Sequence, residues 1–383
     1  MKIVLAFLFF FMVYFLSSSG ATPYDYFTRL TNAFIHGKYY LTENPPWLSE
    51  LIPGKSGKFF VPYSPGPSLV LIPFILVFGI SFQQQILAHI LTAAIPILTF
   101  YISLKIKRDL RIAIWSSILI SLGSILWYMG SVGSSWYLGQ ITAAFFLFVA
   151  IWAALYKKSV WFVSLCIGIS YLSRVHTIIS LPFFIFLLNR DLRNFKNIIL
   201  FFLPLVLSFG LDSFYNFIRF GVFWDKAYFL LPRVLHETQT PWFMHGVMSF
   251  YYIPSNIKAA FWSFPKILDR TPFIEPSWWG LSIWITTPAF VFSLMANIKE
   301  NVVKIASITS FAILFIVFMH GGTGWAQFGY RFAVDLYPFL TFLTIKGVAR
   351  TGLKKYHWIL LLIGVIVNLW GVIWINKFGW VEF

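Results

Sequence analysis

The sequence predicts an all-α fold, a polytopic membrane helix bundle, and three observations carry that prediction. Of the 383 residues, 59% are hydrophobic and only 11% are charged, too little polar surface to keep a soluble domain of this size dispersed. Apolar stretches of near membrane-spanning length recur along the chain. The 29 Lys and Arg outnumber the 13 Asp and Glu, and most of them sit in short clusters between the apolar stretches, the positive-inside pattern of membrane proteins. That clustering argues against the other reading of a basic chain, nucleic-acid binding. Cys166, the one cysteine, lies in an apolar stretch, which leaves no disulfide framework and no cysteine metal site.

About eleven spans are expected, at 3–17, 84–104, 112–129, 136–156, 159–173, 175–189, 197–218, 281–297, 303–320, 332–346 and 357–376. The first of them fits either a cleaved signal or a retained span, and the retained span is favoured. The basic clusters are Lys105, Lys107, Arg108 and Arg111; Lys157 and Lys158; Arg190, Arg193 and Lys196; Lys299 with Lys304; and Lys346 through Lys355. All fall on the side of Lys2 if one crossing separates Gly66 from Lys105. This places the N-terminus inside a prokaryotic cytoplasmic (inner) membrane, with the long loops outside. Segment 67–82 is apolar but short and carries Pro67 and Pro73, so it reads as a re-entrant or surface-lying helix on the outer side. The organisation is then a membrane module over 1–218 with a first outer loop at 18–66, an interfacial loop at 219–280, and C-terminal spans over 281–383.

The first outer loop opens with Thr22-Pro23-Tyr24-Asp25. Thr at N-cap, Pro at N1 and an acid at N3 predict a helix start, and Gly37 a stop. Asp25, Arg29, Asn32 and His36 then share one helical face, with Phe27, Leu30 and Phe34 on another. Asp25 is either a carboxylate paired with Arg29 or a general base at the bilayer surface; spacing does not separate the two. Lys55 through Pro67 is rich in turn residues: an ordinary loop, or a lip that carries Lys58 over an anionic headgroup.

Ser173-Arg174-Val175-His176 falls between two spans. An arginine at membrane depth is costly unless paired, wet or snorkelling to the interface, and its guanidinium suits phosphate. Asp212, Asn216 and Arg219 share a helical face, followed by Asp225 and Tyr228. Further on, Ile257, Ala260, Phe261, Phe264 and Leu268 predict a surface-lying amphipathic helix with Lys258 at the headgroups. Gly324 through Phe332 joins two late spans. Arg331 and Asp335, at i and i+4, predict a salt bridge, or else His320 and this loop line a headgroup site. The sequence has no Asp-x-Asp, His-x-x-x-His, paired-cysteine or nucleotide-type glycine motif. No cofactor and no metal are therefore expected, and a soluble nucleotide donor is disfavoured.

A short first span followed by an acid and then Gly37-Lys38-Tyr39-Tyr40 resembles the GT-C glycosyltransferases, in their protein-O-mannosyltransferase and lipid A aminoarabinose-transferase-like branch. Tyr63-Ser64-Pro65-Gly66-Pro67, Tyr215-Asn216-Phe217-Ile218-Arg219-Phe220-Gly221 and Phe328-Gly329-Tyr330-Arg331-Phe332 are similar to recurrent stretches of that group. The resemblance covers most of the chain in layout but only short motifs in residues. It implies an inverting transferase that moves a sugar from a polyprenyl- or dolichyl-phosphate donor to a hydroxyl of a lipid, glycan or protein acceptor, outside the membrane. Asp25 matches the catalytic carboxylate. Arg174, His176 and Arg331 are the implied phosphate-binding groups, with Lys58 behind them and Tyr63, Tyr330 and Gln327 as further substrate contacts. Asp25 is followed by Tyr26 where many relatives carry a second acid, and Gly130 to Gln140 holds no carboxylate. A lipid or lipid-linked-sugar flippase is the rival reading, and a non-catalytic scaffold a third. The asymmetry of long outer and short inner loops favours the enzyme over the flippase, which would carry a repeat and mid-membrane charge pairs.

Overall fold

The computed structural model describes residues 2–277, 279–324 and 327–379. Trp325 and Ala326 of the 324–332 segment, and the ends of the chain, lie outside them. The chain begins with α1 (Lys2–Leu16), α2 (Tyr26–Ile35), a small hairpin of β1 (Ile52–Pro53) and β2 (Phe59–Phe60), and α3 (Gly66–Phe78). There follow α4 (Gln84–Ile106), α5 (Leu110–Ser121), α6 (Leu126–Val132), α7 (Ser135–Leu155), α8 (Val160–Ser173), α9 (Leu181–Leu187) and α10 (Phe195–Phe220). A second long loop holds α11 (Lys226–Val234) and α12 (Ile253–Trp262), and the chain ends with α13 (Ile283–Thr286), α14 (Asn301–Phe318), α15 (Tyr337–Thr351) and α16 (Lys355–Val372).

This is an integral membrane protein by its helices. Among the described residues six helical segments are long and apolar enough to cross a bilayer, and α5 with α6, bent by 51°, make a seventh if taken as one span. Other expected spans fall on shorter elements. The segment expected at 281–297 is not one helix: α13 has four residues, and a 3-10 stretch, Pro288–Met295, follows. Pro288 lacks the N–H that would continue α13. The stretch packs on α15 where Gly347 lets the two backbones meet at Phe292, a contact with no room for a Cβ. The segment expected to lie on the outer side holds α3, 13 residues that continue as a 3-10 turn, Gly79–Ser81, and it ranks with α1 and α8 among the shorter apolar helices.

The basic connections gather on one side. Lys105 lies 5.3 Å from the ring of Tyr156, whose hydroxyl donates to Tyr101 O, so the α4–α5 and α7–α8 turns are neighbours. Lys346 pairs with Glu300, and Arg350 donates to Met295 O at 3.2 Å, which joins the connections before α14 and after α15.

On the long-loop side two local expectations change. Helix α2 starts at Tyr26, not at Pro23: Thr22 Oγ1 accepts from Tyr24 N, and Asp25 occupies the N-cap without a side-chain cap bond. The helix ends at Ile35, and Gly37 follows with φ of +69°. The amphipathic helix expected to reach Leu268 stops at Trp262, ahead of Pro265. It is anchored rather than free on the surface, because Asn256 Nδ2 donates to Phe318 O and His320 O at the end of α14.

The first long loop is tied down by Arg219. One face of α10 is exposed and apolar, with Phe202, Val206, Phe209 and Phe214, while Asp212, Asn216 and Arg219 are buried on the other. Arg219 Nη1 donates to Val61 O at 2.9 Å, Nη2 to Asn216 Oδ1 at 2.8 Å, and Nε to Tyr215 O at 3.1 Å; the guanidinium stacks 3.6 Å from the Tyr215 ring. Losing a buried charged donor strands its acceptors, so Arg219→Ala should destabilise the protein by about 2–4 kcal/mol. The expected readout is a lower melting temperature in detergent with faster proteolysis near residue 61. Unchanged melting would show that the clamp contributes nothing.

Candidate functional site

Below Val61 the chain runs through Tyr63 and Ser64 into α3. Gly66 lies so close to Leu172 and Ser173 at the end of α8 that a Cβ would collide with both. This close approach brings the Tyr63–Gly66 stretch against the Ser173–His176 turn. Between them, α7, α11 and α14 enclose a cavity of about 430 Å³. Its apolar walls include Phe27, Ile178, Ile179, Phe229, Ile316 and Val317; its polar groups include Arg174, His176, Arg331, Gln140, His320 and Asp225.

Arg174 and His176 are held from behind. Arg174 Nε and Nη2 donate to Asp335 Oδ2 at 3.2 and 3.0 Å, and His176 Nε2 donates to the same oxygen at 2.9 Å. The salt bridge expected between Arg331 and Asp335 does not form. Residues Arg331–Leu336 are a 3-10 helix, in which i and i+4 no longer share a face. Asp335 therefore turns to the 174–176 turn.

Arg331 is left in a different state. Its backbone is braced by Gln140 Nε2, which donates to Arg331 O, and by Gln327 Oε1, which accepts from Arg331 N. Its guanidinium lies 5.5 Å from the Tyr137 ring and 5.3 Å from that of Phe332. Its Nε is buried with no hydrogen-bond partner, and among the described residues it joins no ion pair. A buried charged donor left unsatisfied costs about 1–3 kcal/mol or more, which an anion entering the cavity would relieve.

Three titratable groups in the loops set the remaining electrostatics. Burial pushes His320 down to about 4; its bond to Gly322 opposes the shift, and Arg174, Arg331 and His176 add to it. His320 is therefore neutral at pH 7. Its Nε2 accepts from the Tyr228 hydroxyl at 2.7 Å while Nδ1 donates to Gly322 O at 3.3 Å. Burial pushes Asp225 up to about 6, against the pull of Arg219. Glu50 is pushed up to about 7, again by burial, with Trp136 and Arg331 opposing. Trp136 lines the cavity, donates from Nε1 to Glu50 Oε2 at 3.0 Å, and packs at a tilt against Tyr24 with centroids 4.6 Å apart.

Of the residues singled out from sequence, Arg174, His176, Arg331 and Tyr63 line the cavity. Asp25 does not. Its Oδ1 accepts from Arg29 Nε at 2.8 Å, with Glu43 on the same guanidinium. Arg29, Asn32 and His36 of its stripe border a separate pocket of about 120 Å³. Lys58 lies 4.5 Å from the Tyr40 ring, away from the cavity lining. Tyr330 is core, its hydroxyl donating to Asn256 Oδ1 at 2.8 Å. Gln327 braces a turn through Trp279 O and Thr323 O. Glu50 belongs to no motif, and sequence reasoning missed it. Asp225 carried one signal, a position just past the end of a polar-faced span.

No protein-family model matches the chain, and no curated protein does. Solved structures do. ArnT from Cupriavidus metallidurans bound to undecaprenyl phosphate superposes with a TM-score of 0.50 over 96% of this chain, at 15% identity. The apo form of the same protein gives 0.46 over 95%, also at 15% identity. The chain spans 63% of the length of the lipid-bound ArnT chain. At this identity the likeness is one of fold alone, a polytopic helical membrane bundle like that of ArnT.

Proposed function

We propose that this protein is a glycosyltransferase that takes a sugar from a polyprenyl-phosphate carrier. The observation that carries the proposal is Arg331, whose Nε is buried without a hydrogen-bond partner and which joins no ion pair among the described residues, in a cavity where Arg174 and His176 are held in place by one buried carboxylate. Such a site has spare positive charge and apolar walls together, which suits a phosphate with a hydrocarbon tail. The likeness of fold to a protein crystallised with undecaprenyl phosphate supports that choice of ligand.

In this reading the lipid phosphate faces Arg331 and Arg174, and an acceptor hydroxyl attacks the anomeric carbon. The carbon–oxygen bond to phosphate breaks, its electron pair stays on the phosphate, and the two guanidinium groups stabilise the developing charge. Asp25, which the family resemblance marks as the base, takes the acceptor proton. The reaction inverts the anomeric centre and belongs on the extracytoplasmic face, opposite the basic turns.

Binding of undecaprenyl phosphate in nanodiscs tests the site. Arg331→Gln should weaken it by about 10–100-fold, the worth of a charge-assisted hydrogen bond of roughly 1.5–3 kcal/mol. Equal affinity would remove Arg331 from the site. Glu50 adds a pH dependence whose sign follows from its charge. Above about pH 7 it is ionised and competes with the phosphate for Arg331; below that it is neutral. The affinity of wild type relative to Glu50→Gln should fall as pH rises through 7, and a constant ratio would refute the competition. For the base, Asp25→Asn should slow sugar release from polyprenyl-phosphate sugars by at least ~10²-fold in a folded protein. Full activity would reassign that role.

A further inference from the structure

An anion cavity has no electrostatic use for a carboxylate in its wall. Asp225 is nevertheless there, the one Asp or Glu among the described residues that line the cavity. It is poorly occupied by the protein. Its Oδ1 accepts only from Tyr228 N, at a long 3.4 Å, as the N-cap of α11, and it joins no ion pair among the described residues. The cation that acts on it, Arg219, already gives its donors to Val61, Asn216 and Tyr215. The other carboxyls near the cavity each hold a side-chain donor: Asp335 takes Arg174 and His176 on Oδ2, with Oδ1 buried and free, Glu50 takes Trp136, and Asp25 takes Arg29.

A carboxylate left open inside a cationic cavity repels the phosphate that the cavity attracts, so its ligand is a hydrogen-bond donor rather than an anion. The segment containing it folds over the cavity because Ala227 and Leu231 of α11 pack with Ile52 and Phe60 of the hairpin. Tyr228, three residues on, reaches His320 across the cavity wall. Asp225 is thus held at a fixed place beside the cationic groups.

We propose that Asp225 is a specificity-determining residue that accepts hydrogen bonds from the hydroxyl or ammonium groups of the transferred sugar while Arg174 and Arg331 hold the phosphate. The proposal rests on the polyprenyl-phosphate reading and adds to it what distinguishes a sugar-bearing lipid from the bare one. Charged groups around Asp225 are Arg219 and Asp212 of α10, with Arg174, His176 and Arg331 on the cavity wall. Its carboxyl, raised to about 6 by burial, is ionised at pH 7 and loses its full acceptor strength on acidification.

The test is differential binding in nanodiscs at pH 7.5. Bare undecaprenyl phosphate is compared with a panel of undecaprenyl-phosphate-linked pentoses, hexoses and amino sugars, on wild type, Asp225→Asn and Asp225→Glu. The expected result is that at least one sugar-bearing lipid binds wild type more tightly than the bare lipid does. Asp225→Asn should then lower that preference by about 10-fold or more, with bare-lipid affinity equal to or above wild type. Asp225→Glu should keep part of the preference. Equal losses for both lipids would show a merely structural residue and overturn the proposal, as would a preference that survives Asp225→Asn. A panel in which no sugar adds affinity also overturns it. Failure of wild type to bind even the bare lipid would instead bring down the reading of the cavity itself, and the proposal with it.

Discussion

One carboxylate oxygen, Asp335 Oδ2, accepts three hydrogen bonds from groups 161 and 159 residues away in the chain. Asp335 is fully buried, so this is charge taken out of water, and it is stable only while both partners stay. The bond set fastens the turn after α8 to the turn before α15. Everything that lines the cavity on that side is placed by those two turns. Asp335 turns to Arg174 and His176 through Oδ2 alone, its Oδ1 stays without a hydrogen-bond partner, and Arg331 joins no ion pair with it.

The two turns have a common cause. Both are 3-10 stretches, Val175–Ser180 and Arg331–Leu336, each leading into an α-helix with proline at its first turn, at Pro182 and Pro338. A tighter helix offsets side chains by one position from their α-helical faces. That offset turns His176 and Arg174 toward one oxygen and Arg331 away from it. Broken helices in an apolar bundle are tolerated where the freed polar groups face protein or a cavity, and both breaks lie on the cavity wall.

Most of the architecture was legible in sequence because hydropathy and basic clusters read out directly where helices lie and where they turn. The stop of α2 before Gly37 and the polar face of α10 were legible for the same reason, since helical period maps one-to-one onto faces. Legibility failed wherever the period changed. The Arg331–Asp335 pair was read as α-helical, and the 3-10 turn undid it. Thr22 and Pro23 made a sound helix start, yet Tyr24 is held by Gln84 and Ser135 through its carbonyl, and the helix begins after it. Arg174, His176, Arg331 and Tyr63 were found because charge or aromatic rings near a span end are conspicuous. Glu50 was missed because its role comes from Trp136, 86 residues further on, which no local pattern encodes.

The charges around the cavity fall into an order that the chemistry can use. Arg174 and His176 are compensated by Asp335 and are fixed in position. Arg331 joins no ion pair among the described residues, and Glu50, when ionised, offsets its charge without a direct contact. His320 is neutral, so it adds hydrogen-bonding capacity without adding to that charge. Glu50 and Asp225 are carboxyls that burial has made weaker acids, one behind the wall and one in it, and each can lower the local positive charge when ionised. A cavity with only cations would hold a lipid phosphate after the sugar has left as firmly as before. On the proposed reading, Glu50 behind the wall bounds that attraction when ionised, and Asp225 in the wall serves the sugar rather than the phosphate. Such a balance would suit turnover rather than storage of a lipid.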